Sequence, residues 1–303
     1  MSDFQVSLFF AFLAMFLWGI GDFFIQRTIR KVGDFQTLLW INFIASLTLF
    51  PLAWNDLPAI FSRANIFSLI FITIIDLFYG YFLFKAYDQG KLSVVEVVMI
   101  GELPFTIILG LIFFHESLSW LQVFVILMII AGVFLMSRSR KTWRDKIKEF
   151  FRGKRVVWEK GLLLMFLAVL FSSLYNFLTA VNTRNVSAFA AVWFPWMLGS
   201  LVLLIYVGYK RGLKSFWQGG LNHKSLILFT GVIDTSAWVF YALATRTEEI
   251  SIVTAIVAGY AVIAMALGIK FNHEKISVWQ YLGAVLVFLG VIAMSFISGP
   301  NSL

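Results

Sequence analysis

The chain contains no cysteine, which excludes disulfide frameworks, thiolate catalysis and zinc–cysteine centres. Charge is nearly as scarce. Only 13% of the 303 residues are Asp, Glu, Lys or Arg, about half of what a soluble chain uses to cover its surface. No GxxxxGKS/T phosphate loop and no HExxH or comparable catalytic constellation occurs, so nothing supports nucleotide-driven work, a metal site or intramembrane hydrolysis by this chain. No cofactor is implied. What fills the chain instead is apolar: 60% of it is hydrophobic, with 34 Phe and 11 Trp, and the mean hydropathy is +0.88. A secreted or cytosolic globular enzyme is therefore excluded, and the chain is an integral membrane protein. Its net charge of +8 and pI near 9.7 resemble those of a nucleic-acid binder. The charges, however, lie mostly in short loops between apolar runs, where they report topology; no nucleic-acid partner is expected.

A bilayer core about 30 Å thick takes about 20 apolar residues per helix. That ruler yields ten spans, at 6–26, 35–54, 65–87, 93–114, 119–137, 161–182, 187–209, 225–246, 250–271 and 276–297. The first is too long for a removable signal peptide and lacks a small-residue cleavage site. Most connections are short, so neighbouring spans form antiparallel hairpins. The exception, 138–160, carries ten Lys/Arg against Asp145, Glu149 and Glu159. Trp143, Ile147 and Phe150 or Phe151 recur there at helical spacing, which fits either a short helix on the headgroups or a solvated linker. It divides the chain into units 1–137 and 161–303.

The two units are repeats. At an offset of 158, Ile75-Asp76 meets Ile233-Asp234, followed without a gap by Ser93/Ser251, Gly101/Gly259, Gly110/Gly268, His115-Glu116/His273-Glu274, Gln122/Gln280 and Gly132-Val133/Gly290-Val291. At an offset of 154, Phe12-Leu13-Ala14 meets Phe166-Leu167-Ala168, and Asp22 faces Asn176. Similarity between greasy helices explains matching Leu and Phe, but not Asp, His-Glu and Gln in one register. Five spans per unit is an odd number, so the second unit inserts upside down. The expected fold is an all-α membrane protein of ten transmembrane helices built as two inverted five-helix repeats, an arrangement typical of secondary transporters.

With Leu17-Trp18-Gly19 in the first span, and a Glu after the fourth span followed by Gln and Gly-Val in each unit (Glu116, Gln122, Gly132-Val133; Glu274, Gln280, Gly290-Val291), the chain resembles the EamA-type family of the drug/metabolite transporter superfamily. The resemblance covers essentially the whole chain. It implies a carrier of amino acids, choline-like amines, nucleotide conjugates or drugs that works by alternating access around a central cavity. Ser172-Ser173 stand where the first unit has Trp-Gly, so the units have diverged there.

Ionised side chains at the bilayer centre are costly and persist mainly where they face a bundle interior or a water-filled cavity. The spans hold Asp22, Asp76, Glu96, Glu102 and Asp234. No Lys or Arg lies at comparable depth, since Lys85, Arg246 and Lys270 are near enough to helix ends to snorkel. Asp76, Glu102 and Asp234 are near mid-span. Asp76 shares a helix face with Tyr79, Gly80 and Leu83, and Asp234 with Ala237, Trp238 and Tyr241. The bland alternative is packing against a hydroxyl. Glu102, opposite Tyr260 in the repeat register, precedes Pro104, which is expected to kink its helix. Glu96, near a helix start, is assigned a helix-end or headgroup role. Asp22, placed near the end of the first span beside Trp18, is either at a cavity mouth or a local cap, and Gly19 and Gly21 serve close packing or leave room for a substrate. His115 and His273 offer too few ligands for a metal and are read as turn residues. The candidate substrate-binding set is thus Asp76, Asp234, Glu102, Tyr79, Trp238, Tyr241, Tyr260, Trp18, Asp22 and Asn176.

A buried carboxylate must be neutralised by a proton or a cationic ligand, and Tyr and Trp faces attract ammonium groups. The expected activity is secondary transport of a small cationic or zwitterionic amine, with a proton or another ion as coupling partner. A channel or a membrane scaffold is the alternative. Twenty-one of the 24 Lys/Arg fall on the side of the 138–160 segment when Lys85 and Lys270 are counted with their adjacent loops. By the positive-inside bias that side is cytoplasmic in the cell's inner membrane and the termini are outside. Anionic lipid would also attract the basic segment.

Overall fold

The computed structural model describes residues 3–89, 92–136, 162–211, 213–273 and 276–297. They form helices α1 (Asp3–Val32), α2 (Asp34–Ala53), α3 (Leu57–Ile60), α4 (Arg63–Gln89), α5 (Leu92–Met99), α6 (Glu102–Phe113) and α7 (Trp120–Met136), then α8 (Leu162–Asn185), α9 (Ala188–Arg211), α10 (Leu213–Asn222), α11 (Lys224–Thr247), α12 (Ile250–Val257), α13 (Tyr260–Asn272) and α14 (Val278–Ile297). The ten spans are α1, α2, α4, α5–α6, α7, α8, α9, α11, α12–α13 and α14. Eight of them are long and apolar enough to cross a membrane; the others are the divided fourth span and α7. The segment 138–160, with Trp143, Ile147, Phe150 and Phe151, and Glu274 of the second unit lie outside the described residues.

Helices are the only open-chain solution here, because lipid offers no partner to a backbone N–H or C=O. Their ends are written locally. At the start of α7, Ser119 N donates to Gln122 Oε1 (2.7 Å) and Gln122 N to Ser119 Oγ (3.3 Å). Before α14 the Ser277 and Gln280 pair repeats this at 2.8 and 3.3 Å. Both are capping boxes, which accounts for the Gln that the two units share. His115 and His273 occupy the left-handed region (φ 54° and 53°) where the fourth and ninth spans end, so both act as turn residues.

The fourth and ninth spans are broken rather than kinked by proline. α5 ends at Met99 and α6 begins at Glu102; α12 ends at Val257 and α13 begins at Tyr260. Gly101 N and Gly259 N each donate three residues back, to Val98 O (2.9 Å) and Ile256 O (3.2 Å). The ninth span has no proline, so the break belongs to the Gly101/Gly259 position, and Pro104 lies harmlessly in the first turn of α6.

The units are interlocked about a pseudo-twofold axis. α1 packs along α11 and α4 along α8, α2 lies on α9 and α7 on α14, while α5 meets α13 and α6 meets α12. Every one of these contacts joins one unit to the other. One face of the molecule carries the start of α1 and the connections α2–α4, α6–α7, α8–α9 and α11–α12. The second face carries the connections α1–α2, α4–α5, α9–α11 and α13–α14, the end of α7 and the start of α8.

Candidate functional site

On the axis, a small cavity lies halfway along the spans. Twelve of its lining residues form six pairs related by the duplication: Trp18/Ser172, Asp22/Asn176, Asn42/Trp196, Asp76/Asp234, Gly80/Trp238 and Glu102/Tyr260. The backbone positions are symmetric, but only Asp76/Asp234 has kept one chemistry. Where Trp238 places a ring in one unit, Gly80 in the other admits Leu38, whose Cδ1 would lie 2.7 Å from a Cβ there.

The carboxylates differ in their partners. Glu102, at the first turn of α6, accepts a short hydrogen bond from Ser172 Oγ, while Ser173 Oγ donates to Glu102 O (3.3 Å). The Ser-Ser pair that departs from the first unit's Trp-Gly thus holds the acid. Trp196 Nε1 donates to Tyr175 Oη (2.8 Å). Asp76 Oδ2, Asn42 Nδ2 and Asn176 Oδ1 are buried without a partner among the described residues. Unpaired buried polar atoms are costly, and these three point to an occupant that both accepts and donates hydrogen bonds.

Aromatic rings form the walls. Trp238 meets Trp18 edge-on at 4.7 Å, Tyr175 at 4.6 Å and Tyr79 at 6.2 Å. Nine of the ten residues singled out from the sequence line this cavity. The tenth, Tyr241, stands behind it: its ring packs on Trp18 (5.3 Å) and its hydroxyl pairs with Thr254 Oγ1 (3.3 Å).

Three assignments change. Glu96 is not at a headgroup. It is fully buried and accepts from Tyr87 Oη at 2.6 Å, because α5 is a half-helix that dips inward rather than the mouth of a continuous span. Asp22 is not near a helix end, since α1 continues to Val32 and places Asp22 on the cavity wall. Lys85 does not snorkel alone; its Nζ pairs with Asp34 at 2.6 Å. Gly19 serves packing, as a Cβ there would lie 2.5 Å from Ile263 Cβ. Asn42, Ser172 and Trp196 were missed by sequence reasoning, and the signal for them was available: the 154 offset that pairs Asp22 with Asn176 also pairs Trp18 with Ser172 and Asn42 with Trp196.

The model of the EamA-like transporter family matches residues 5–138 and 159–296, once per unit. The chain is 21% identical over 213 residues to the "Uncharacterized transporter YxxF" of Bacillus subtilis (strain 168), covering 69% of this chain and 63% of that relative's length. A protein crystal structure, 12% identical, superposes with a TM-score of 0.70 over 97% of this chain and 98% of its own, a likeness of fold.

Proposed function

This chain belongs to the EamA-like transporter family, a family of multi-pass membrane transporters, and from that premise we propose that it is a secondary carrier of a small cationic or zwitterionic amine. The observation that supports this most is the lining of the cavity: Asp22, Asp76, Glu102 and Asp234 face it, and no Lys or Arg is among the lining residues. Carboxylates removed from water call for a compensating cation, and the Trp and Tyr walls suit an ammonium group. A phosphorylated anion would meet four acids and no base. The four acids are also the chain's means of taking up a coupling proton. Alternating access places such a site at the repeat interface, where this cavity lies.

Counterflow in proteoliposomes tests the reading with three probes of similar size: a quaternary ammonium ion, a zwitterionic amino acid and a phosphorylated anion. Saturable exchange of the first or second, without the third, is expected. Non-saturable leak would instead indicate a channel, and no flux of any probe a scaffold.

We further propose that the second face is cytoplasmic in the inner membrane, because the span order assigns 21 of the 24 Lys/Arg to loops of that side and short basic loops are retained inside. The absence of native cysteine makes the test direct. In intact cells an impermeant thiol reagent is expected to label Ser2→Cys and not Ser139→Cys; the reverse pattern inverts the topology.

A further inference from the structure

The cavity is symmetric at its centre and one-sided beyond it. From the midpoint, Ile25, Leu83, Phe84, Tyr87 and Met99, all of the first unit, continue its wall toward the second face. Their counterparts in the duplication are Thr179, Tyr241, Ala242, Thr245 and Val257, which run from the midpoint toward the first face. None of those five lines the cavity. The cavity thus reaches into one half of a symmetric path and not into the other, which is packed shut.

At the mouth of the shut half the units are bonded to each other. Glu116, on the connection after α6, accepts from Ile250 N (2.7 Å), Ser251 N (3.1 Å) and Ser251 Oγ (2.5 Å), capping α12 of the other unit. Gly110 makes this approach possible, since a Cβ there would lie 2.7 Å from both Glu116 Oε2 and Ile250 Cγ2. Ser7 Oγ pairs with Thr247 Oγ1 at 2.5 Å, and Ser187 Oγ donates to Asp56 Oδ2 at 2.5 Å, also between units on the first face. Among the described residues the second face has Thr28 Oγ1 with Thr230 Oγ1 at 2.9 Å; Glu274, the counterpart of Glu116, lies outside them.

We infer that the buried counterparts line the second half of the transport path and that Glu116, by capping α12, is the latch that keeps it closed. α12 is suited to move. It has only eight residues and joins α13 through the non-α turn at Ala258–Gly259, so it can swing without breaking a continuous helix. The latch is also opposed from nearby. Burial, and then the charge of Glu116, push the carboxyl of Glu249 above the ordinary glutamate range. Like charges gathered here weigh against closure, whereas three charge-assisted bonds favour it. The same bonds that close this half hold the two units together, so releasing them frees the first face.

The inference rests on the alternating-access reading above, but its test needs no transported solute, so either can fail alone. Thr245→Cys places a thiol on the shut half, and Ile129→Cys a control thiol in the α7–α14 contact, where Ile129 is fully buried. In purified protein, Glu116→Ala is expected to raise labelling of Thr245→Cys by a hydrophilic thiol reagent about tenfold, the effect of about 1.4 kcal/mol, and to leave Ile129→Cys unlabelled. If Glu116→Ala does not fold, Ser251→Ala, which removes one of the three bonds, is expected to give about a threefold rise. Unchanged labelling of Thr245→Cys in the folded variants, or an equal rise at Ile129→Cys, overturns the proposal.

Discussion

Asp234→Asn and Asp76→Asn are each expected to lower the rate of amine counterflow at least about a hundredfold, while the purified variants elute and melt as the parent does. Removing one partner of a buried ion pair costs about 3–5 kcal/mol, and about 1.4 kcal/mol is tenfold in affinity. Asn has nearly the shape of Asp, so packing against Trp196 and Trp238 is kept and the loss isolates charge. The two acids stand at equivalent points of the duplication on opposite sides of the axis, and both line the cavity. Asp76 also carries a buried oxygen with no partner among the described residues, so its variant is expected to be the more severe. Unchanged kinetics in both would remove these acids from the path and with them the preference for cations. A loss accompanied by aggregation would be structural; Thr73→Ala, three residues before Asp76 in α4, and Thr235→Ala, next to Asp234 in α11, both buried, supply the comparison for generic damage.

The second large effect is structural. Gly19→Val is expected to destabilise the protein by at least about 3 kcal/mol, the upper range for forcing volume into a packed core. A Cβ at Gly19 would lie 2.5 Å from Ile263 Cβ and 2.9 Å from the backbone oxygen of Tyr260. Neither is the end of a flexible side chain, so α1 and α13 would have to separate, displacing the Trp18 and Tyr260 rings from the cavity wall. Gly21→Ala is the control, because its Cβ meets only Ile233 Cγ2, at 3.2 Å. Thermal unfolding in detergent should separate the two variants clearly. Equal tolerance of both would show that the close approach of α1 to α13 is not a constraint on the fold.

Much of this architecture was legible in the sequence because the bilayer is so restrictive a solvent. Apolar runs of bilayer length dictate helices, and the shared register of Asp, His-Glu and Gln dictates two units whose odd span count inverts them. The Ser-x-x-Gln pairs and the His turns could be recognised because helix ends are local chemistry. Depth along a helix likewise singled out Asp76, Glu102 and Asp234, since a charge at mid-span needs a polar face to persist. Contacts between units could not be read that way. Both lipid-facing and core-facing helix surfaces are apolar, so periodicity does not say which side turns inward, and Tyr241, on the same helix face as Asp234, ends up behind the wall. Glu96 looked peripheral because a broken span has the same composition as a continuous one; only packing shows α5 as a half-helix carrying that acid into the interior. Nor does any local signal reveal that Glu116 caps a helix 134 residues away, or that the cavity extends into one half of a duplicated path and not into the other. Those features depend on how two nearly equivalent units settle against each other, and that choice is made by tertiary contacts alone.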